Sequence, residues 1–432
     1  MTRQATDIKP DISSDINAQA KQIGAQAKAA FIALSKSEFK LKNKALNIFA
    51  NLLDKNCERL IEANQHDLKI ALSEQLSKAK IDRLMLDKAR INAMAESVSA
   101  IARLDNPLGV VLEEWQQPNG LNFKKISVPI GVIGVIYEAR PNVSADAAAL
   151  CLKSGNSVIL RPGSQSFNSS KAIVDQFKIA LKKSGLPEHC LQIVPERDRV
   201  WVDQLLSMSD YIDVIVPRGS RSLIEQVQKK ARMPVFSHLE GLCHIYLERD
   251  CDPQKAHDIV VNAKMRRTGI CGALETLLVD EAIVRTILPP IIKTLLEKGC
   301  ELRADDQIQA LDARIIRADE QDWVSEYLDA ILSIKTVRSL DEAMWHIGHY
   351  GSHHTDAIIS ENKQMAARFL REVDSAIVLH NASTQFADGG EFGMGSEIGI
   401  STGRMHARGP VGVRQLTCYK YQVEGDGHCR KN

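Results

Sequence analysis

Apolar residues recur at i, i+3 and i+4 in "NKALNIFANLLDKNCERLIEANQHDLKIAL" and again in "ARINAMAESVSAIARL". That spacing lays one apolar stripe along a helix, so residues 15 to 104 are predicted to be all helical. The pattern then changes. "VVLEEWQQPNGLNFKKISVPIGVIGVIYEA" has strand-type residues on both sides of "PNG", which predicts a hairpin. Beyond it, strands "IGVIGVIYEA", "NSVILRPG", "LQIVP" and "IDVIVPRG" alternate with helical segments such as "SADAAALCLKSG" and "SRSLIEQVQKKA". The second half repeats the alternation, with "CHIYLERD", "ETLLVD", "TDAIIS" and "SAIVLHN" as its strands. Repeated β–α alternation implies parallel, doubly wound sheets, in which ligands sit beyond the carboxyl ends of the strands. The fold class expected is therefore α/β, with a nucleotide site as the default.

Composition narrows the function classes. At 432 residues and 44% hydrophobic content the chain can fill two domain cores. With 55 Lys+Arg against 54 Asp+Glu it has no basic field to attract nucleic acid or a membrane surface. The N-terminal apolar patch "AAFIAL" is too short for a signal segment, and no uncharged apolar run reaches the roughly 18 residues a membrane span needs. The nine cysteines form no CxxC pair, which argues against a disulfide framework or a zinc ribbon and fits a reducing cytoplasm.

Four stretches carry candidate chemistry. In "RRTGICGAL", Gly269 and Gly272 flank Cys271 and would let a substrate approach the backbone. Arg266, Arg267 and the N-terminus of a following helix would lower the thiol pKa; the alternative is a cysteine buried in a turn. "ILRPGSQSFNSS" turns on Pro162 and Gly163 and enters a helix through Ser164 and its neighbours, leaving backbone N–H groups for a phosphate. "VIVPRGSRSL" repeats that plan with Gly219 and Ser220; a simple strand–turn–helix cap explains either equally well. Arg161, with no acidic residue following it, leans toward NADP over NAD unless it is merely a solvated turn arginine. "GVIGVI" is not a GxGxxG fingerprint. "HIGHYGSHHTD" gathers His346, His349, His353, His354 and Asp356, but Gly348 and Gly351 are expected to break the helix that would hold metal ligands, so no metal site is assigned.

Six stretches together resemble a known family: "PIGVIGVIYEARPNVSADAAALCLKSGNSVILRPGS", "VIVPRGS", "HLEGLCHIYLE", "NAKMRRTGICGALETLLVD", "YGSHHTDAI" and "FADGGEFGMGSEIGISTGRMHARGPVGVRQLTCYKY". They are similar to the γ-glutamyl phosphate reductases of the aldehyde dehydrogenase superfamily, over residues 20 to 425. The resemblance implies an aldehyde dehydrogenase-like fold: an NADP(H) domain over 1–238 interrupted by an arm hairpin at 112–128, a catalytic domain over 239–408, and an oligomerisation strand over 409–425. It implies NADPH-dependent reduction of γ-glutamyl 5-phosphate to glutamate 5-semialdehyde and phosphate, the second step of proline biosynthesis. A homo-oligomer follows too, with the upstream glutamate kinase as a candidate partner.

Residue by residue, the resemblance makes Cys271 the nucleophile and Asn142 a donor to the oxyanion. Arg161 would contact the adenosine ribose and its 2′-phosphate, beside Pro162, Gly163 and Ser164. Gly219 and Ser220 would lie near the pyrophosphate, and Glu326 on the nicotinamide ribose. Arg140 and Arg267 are candidates to clamp the substrate carboxylate. The superfamily's hydrolytic glutamate has no clear counterpart: "SHLEGLCH" puts His238 near its place, with Glu240 shifted. Thr268 and Gly272 also stand where the family often has proline and asparagine.

Overall fold

The computed structural model describes residues 12–430. Two compact units emerge, one taking the chain up to Val235 and again from Gly412, the other spanning Phe236–Val411. In the first unit the helical opening forms as predicted, with helices Ile12–Ser35, Phe39–Lys55, Cys57–Ser73 and Lys88–Arg103. The apolar stripe of Phe39–Lys55 buries Ala45, Leu46, Phe49 and Leu53, and the Phe49 ring stacks on Phe177 at 4.3 Å. Alternation then builds a four-stranded parallel sheet in the order Leu191–Ile193, Ser157–Pro162, Val132–Tyr137, Val214–Arg218. Every residue of Val132–Tyr137 is buried, which is why this strand reads as a continuous apolar run rather than an alternating one.

The "PNG" turn joins strands Val111–Gln116 and Asn122–Pro129, with Trp115 stacked on Phe123 across the pair at 5.2 Å. The C-terminal strand Thr417–Glu424 adds antiparallel to the hairpin, so a three-stranded sheet results.

The second unit is built on a seven-stranded, all-parallel sheet. Its order is Ile316–Arg317, Glu301–Ala304, Ile331–Val337, Leu274–Asp280, Cys243–Leu247, Thr355–Ile359, Ile377–His380. The first three of these strands escape the periodicity reading. Glu301–Ala304 and Ile316–Arg317 are only 4 and 2 residues long, and the third is interrupted by Ser333, Lys335 and Thr336. Helices Pro253–Met265 and Leu288–Glu297 cover the sheet, and within the core Lys264 and Glu275 pair at 2.8 Å, both buried. The helix Leu340–Tyr350 runs through Gly348 and stops only at Gly351, contrary to the expectation that both glycines break it. A single exposed glycine costs a helix about 1 kcal/mol, which the buried Leu340, Ala343, His346 and Ile347 outweigh.

Candidate active site

Cys271 lies in the loop between the helix Pro253–Met265 and the strand Leu274–Asp280. No helix follows it, so the expected helix N-terminus is not what activates the thiol. Arg266 and Arg267 are exposed; Arg266 reaches Gln385 Oε1 at 3.3 Å, and Gln385 in turn holds the Ala263 and Arg267 carbonyls. These cations frame the loop. The groups that reach the sulfur are two imidazoles: the Cys271 thiol and a ring nitrogen from each of His238 and His354 lie within 4.8 Å of one another.

Both rings are held from behind. His238 Nδ1 is 2.8 Å from the Ile400 carbonyl oxygen, so Nδ1 carries the proton and Nε2 is the nitrogen that can take one from a thiol. His354 is fully buried at the head of the strand Thr355–Ile359, with Nδ1 2.9 Å from Thr355 Oγ1 and Nε2 without a hydrogen-bond partner. Its ring centroid lies 5.0 Å from that of His238. Burial alone would push the Cys271 thiol up, but the charges of His354 and His238 overcome it and hold the thiol well below its ordinary value.

The loop fits because one position has no side chain. A Cβ on Gly241 would meet the Cys271 carbonyl oxygen at 2.2 Å, so only glycine lets the segment after His238 pass under the cysteine. Cys243 Sγ donates to that same carbonyl at 3.1 Å. Gly241 N–H donates to Glu326 Oε1 at 2.9 Å. Glu326 therefore sits in the cysteine's own unit; burial raises its carboxyl, the Gly241 N–H opposes that, and the nearby Cys271 adds to it.

The other histidines of the "HIGHYGSHHTD" stretch go elsewhere. His346 is buried against Trp323 and His244, His349 stacks on Trp345, and His353 Nδ1 faces the Asp374 carbonyl. Asp356 binds His244 Nδ1 at 2.9 Å and also accepts from Ser375 Oγ. The stretch thus contributes one residue, His354, to the cysteine. Its 116-position separation from His238 hides that pairing from any local pattern; the only signal is that His354 directly adjoins the predicted strand "TDAIIS" and His238 precedes "CHIYLERD" by five positions.

In the first unit, the candidate cofactor residues line the carboxyl ends of the four-stranded sheet. Arg161 is buried at the end of Ser157–Pro162, its Nη2 3.4 Å and 3.3 Å from the Arg197 and Asp198 carbonyls and its Nε without a partner. It is therefore not a solvated turn arginine. Burial lowers its pKa first and the neighbouring Arg199 lowers it further, with Glu138 and Asp198 opposing. Pro162 and Gly163 are buried and Ser164 is half-buried.

The helix after them, Phe167–Lys183, does not leave its N–H groups open as expected: Asp67 accepts from Ser169 N at 2.7 Å, from Ser169 Oγ at 2.6 Å and from Asn168 N at 3.2 Å. At the second turn Gly219 and Ser220 are exposed before the helix Arg221–Lys230, and Glu138 accepts from Ser220 N at 2.7 Å. Ala139 adopts φ 35°, a left-handed strain immediately before half-buried Arg140 and exposed Asn142. Asn142 opens the helix Asn142–Lys153 with its Nδ2 3.3 Å from Asp146 Oδ2. An orphaned guanidinium nitrogen, Arg199 beside it and a glycine–serine turn fit the phosphates of a dinucleotide.

Among the described residues, no helix is long and apolar enough to cross a membrane. Residues 10–330 match the aldehyde dehydrogenase family. The chain is 54% identical over 428 residues to the γ-glutamyl phosphate reductase of Rhodospirillum rubrum, covering 99% of each. With that of Bradyrhizobium diazoefficiens it shares 51% over 429 residues, again 99% of each. A crystal structure of γ-glutamyl phosphate reductase from Thermotoga maritima superposes with a TM-score of 0.92 at 40% identity, covering 95% of this chain and all of that one. An acetylating aldehyde dehydrogenase from Geobacillus thermoglucosidasius, 15% identical with a TM-score of 0.69 over 98% of this chain and all of that one, shares the fold. The chain belongs to the γ-glutamyl phosphate reductase branch of the aldehyde dehydrogenase family.

Proposed function

We propose that this oxidoreductase reduces γ-glutamyl 5-phosphate to glutamate 5-semialdehyde and phosphate with NADPH, through a thioester on Cys271. The observation that carries the reading is the pair of buried or half-buried imidazoles converging on an activated cysteine. His238 Nε2 takes the thiol proton while its Nδ1–H stays on the Ile400 carbonyl. The thiolate attacks the γ-acyl carbon, the carbon–oxygen bond to phosphate breaks, and phosphate leaves with the bonding electrons. The Cys271 backbone N–H donates to the transient oxyanion, and the resemblance assigns Asn142 as a second donor. The dinucleotide, when bound, supplies hydride to the acyl carbon. Collapse then breaks the carbon–sulfur bond, gives the aldehyde and restores the thiolate.

The remaining candidates are assigned binding roles. Arg161, Gly219 and Ser220 would hold the cofactor's phosphates, with Arg199 adding charge beside Arg161, which favours a 2′-phosphate. Glu326 keeps Gly241 and hence the cysteine loop in position. Arg267, exposed with its carbonyl held by Gln385, and half-buried Arg140 are the two candidates for the substrate carboxylate.

The rival reading is a hydrolytic aldehyde dehydrogenase, in which a base would activate water to release the acyl group as an acid. An assay of NADP⁺ reduction with glutamate semialdehyde decides between them: turnover should require phosphate. Phosphate-independent acid formation would overturn the reading. Cys271→Ser should abolish turnover and leave NADPH binding near normal, because an alcohol is similar in size but far less ionised.

A further inference from the structure

Two imidazoles on a thiolate are a ligand set as well as a proton relay. We propose that Cys271, His238 and His354 form a chelate for a borderline-soft divalent cation, zinc being the type, and that occupancy reversibly switches the enzyme off. The second half of that statement rests on Cys271 being the nucleophile; the first does not.

Three observations carry it. One sulfur and two ring nitrogens, the donors zinc prefers, lie within 4.8 Å of one another. In a tetrahedral zinc site such donors stand roughly 3.5 Å apart, so a small closing movement of the side chains would seat the ion. His238 is already set as metal-bound histidines are, its Nδ1–H anchored on the Ile400 carbonyl at 2.8 Å, which fixes the ring plane and leaves Nε2 as the donor. His354 supplies the independent pointer: fully buried, its Nδ1 engaged by Thr355 Oγ1, its Nε2 has no hydrogen-bond partner. Buried polar atoms are normally satisfied, and the His354 ring lies beside the Cys271 sulfur and the His238 imidazole.

With three protein ligands, a fourth position stays open for water. On binding, the proton shared between the sulfur and the imidazoles is released to the buffer, the metal–sulfur and metal–nitrogen bonds form, and nothing is oxidised or reduced. The bound sulfur can no longer attack an acyl carbon. The same complex shields the thiol from alkylation.

Cobalt(II) is the probe, added to chelator-treated enzyme and read by absorption rather than by activity. A thiolate-to-cobalt charge-transfer band is expected, displaced by zinc, absent in Cys271→Ser, and requiring at least ten-fold more metal in His354→Asn. That last variant keeps a polar group toward Thr355 and removes the Nε2 ligand, so the fold contact survives. Micromolar zinc should inhibit the wild type, a chelator should restore it, and zinc should slow iodoacetamide labelling of Cys271. Absence of the band, or a band of unchanged affinity in His354→Asn, overturns the chelate. Turnover persisting in Cys271→Ser would instead sink the catalytic reading while leaving the cobalt band interpretable.

Discussion

Cys271 is one of nine free thiols, and its surroundings single it out. Burial pushes the Cys190, Cys251 and Cys300 thiols up to about 12 and raises Cys151, Cys243 and Cys418 as well. At neutral pH those sulfurs stay protonated, and iodoacetamide should therefore modify Cys271 before Cys243 or Cys418 in a timed mass-spectrometric experiment. Faster labelling of either would remove the imidazole argument. His346 offers a second test at this scale. Both its ring nitrogens are buried without partners, and burial, reinforced by His244 and Lys335, pushes its pKa down to about 2. Unfolded, it titrates near 6.5. Below that pH the unfolded chain takes a proton that the folded one refuses, so stability is full above about 6.5 and falls as the pH drops toward 2. From pH 7.5 to 5.5 this residue should cost about 1.4 kcal/mol, a loss that His346→Leu lacks. Urea midpoints of both proteins at both pH values measure it; equal losses would refute it. Sequence alone marks Cys271 by its glycines and His238 by its place in "SHLEGLCH". It does not mark His354 as their partner, because strand order in the sheet, not chain distance, brings it beside the cysteine.

The β–α alternation and the arm hairpin can be read from hydrophobic period because each element's burial pattern is local. Helix capping is different. The N-terminus of Phe167–Lys183 looks open in "GSQSFNSS", yet its acceptor is Asp67, about 100 residues earlier on the helix Cys57–Ser73. A buried carboxylate there takes the seat a phosphate would occupy, whereas at Gly219 and Ser220 the acceptor, Glu138, is only half-buried and can yield to an incoming anion. Asp67→Ala strands Ser169 N and Ser169 Oγ in a buried position and Asn168 N in a half-buried one. Unsatisfied donors of this kind should destabilise the protein by about 2–3 kcal/mol. Denaturant unfolding checks this, and a loss under about 0.5 kcal/mol would mean that other acceptors or water replace the carboxylate.

At the scale of the whole molecule, a net charge of +1 gives no long-range field to organise assembly, so contacts must come from shape and apolar surface. The three-stranded sheet of the first unit supplies both. Its outer strands, Val111–Gln116 and Thr417–Glu424, each have an unpaired edge among the described residues. Val111 and Leu112 are 47% and 51% exposed, and Tyr421 and Val423 are 55% and 50% exposed. An exposed apolar edge of this kind invites pairing with another chain unless it is covered. The twofold symmetry usual in homo-oligomers would let the same patch serve both partners. We therefore predict a homo-oligomer, at least a dimer, closed through this sheet. The strand Thr417–Glu424 is the part to remove, because Leu416 is buried and its carbonyl accepts from Asn156 at 2.7 Å. Deleting residues 417–432 should yield monomer or precipitate by light scattering, and full-length protein that stays monomeric at micromolar concentration would refute the assembly.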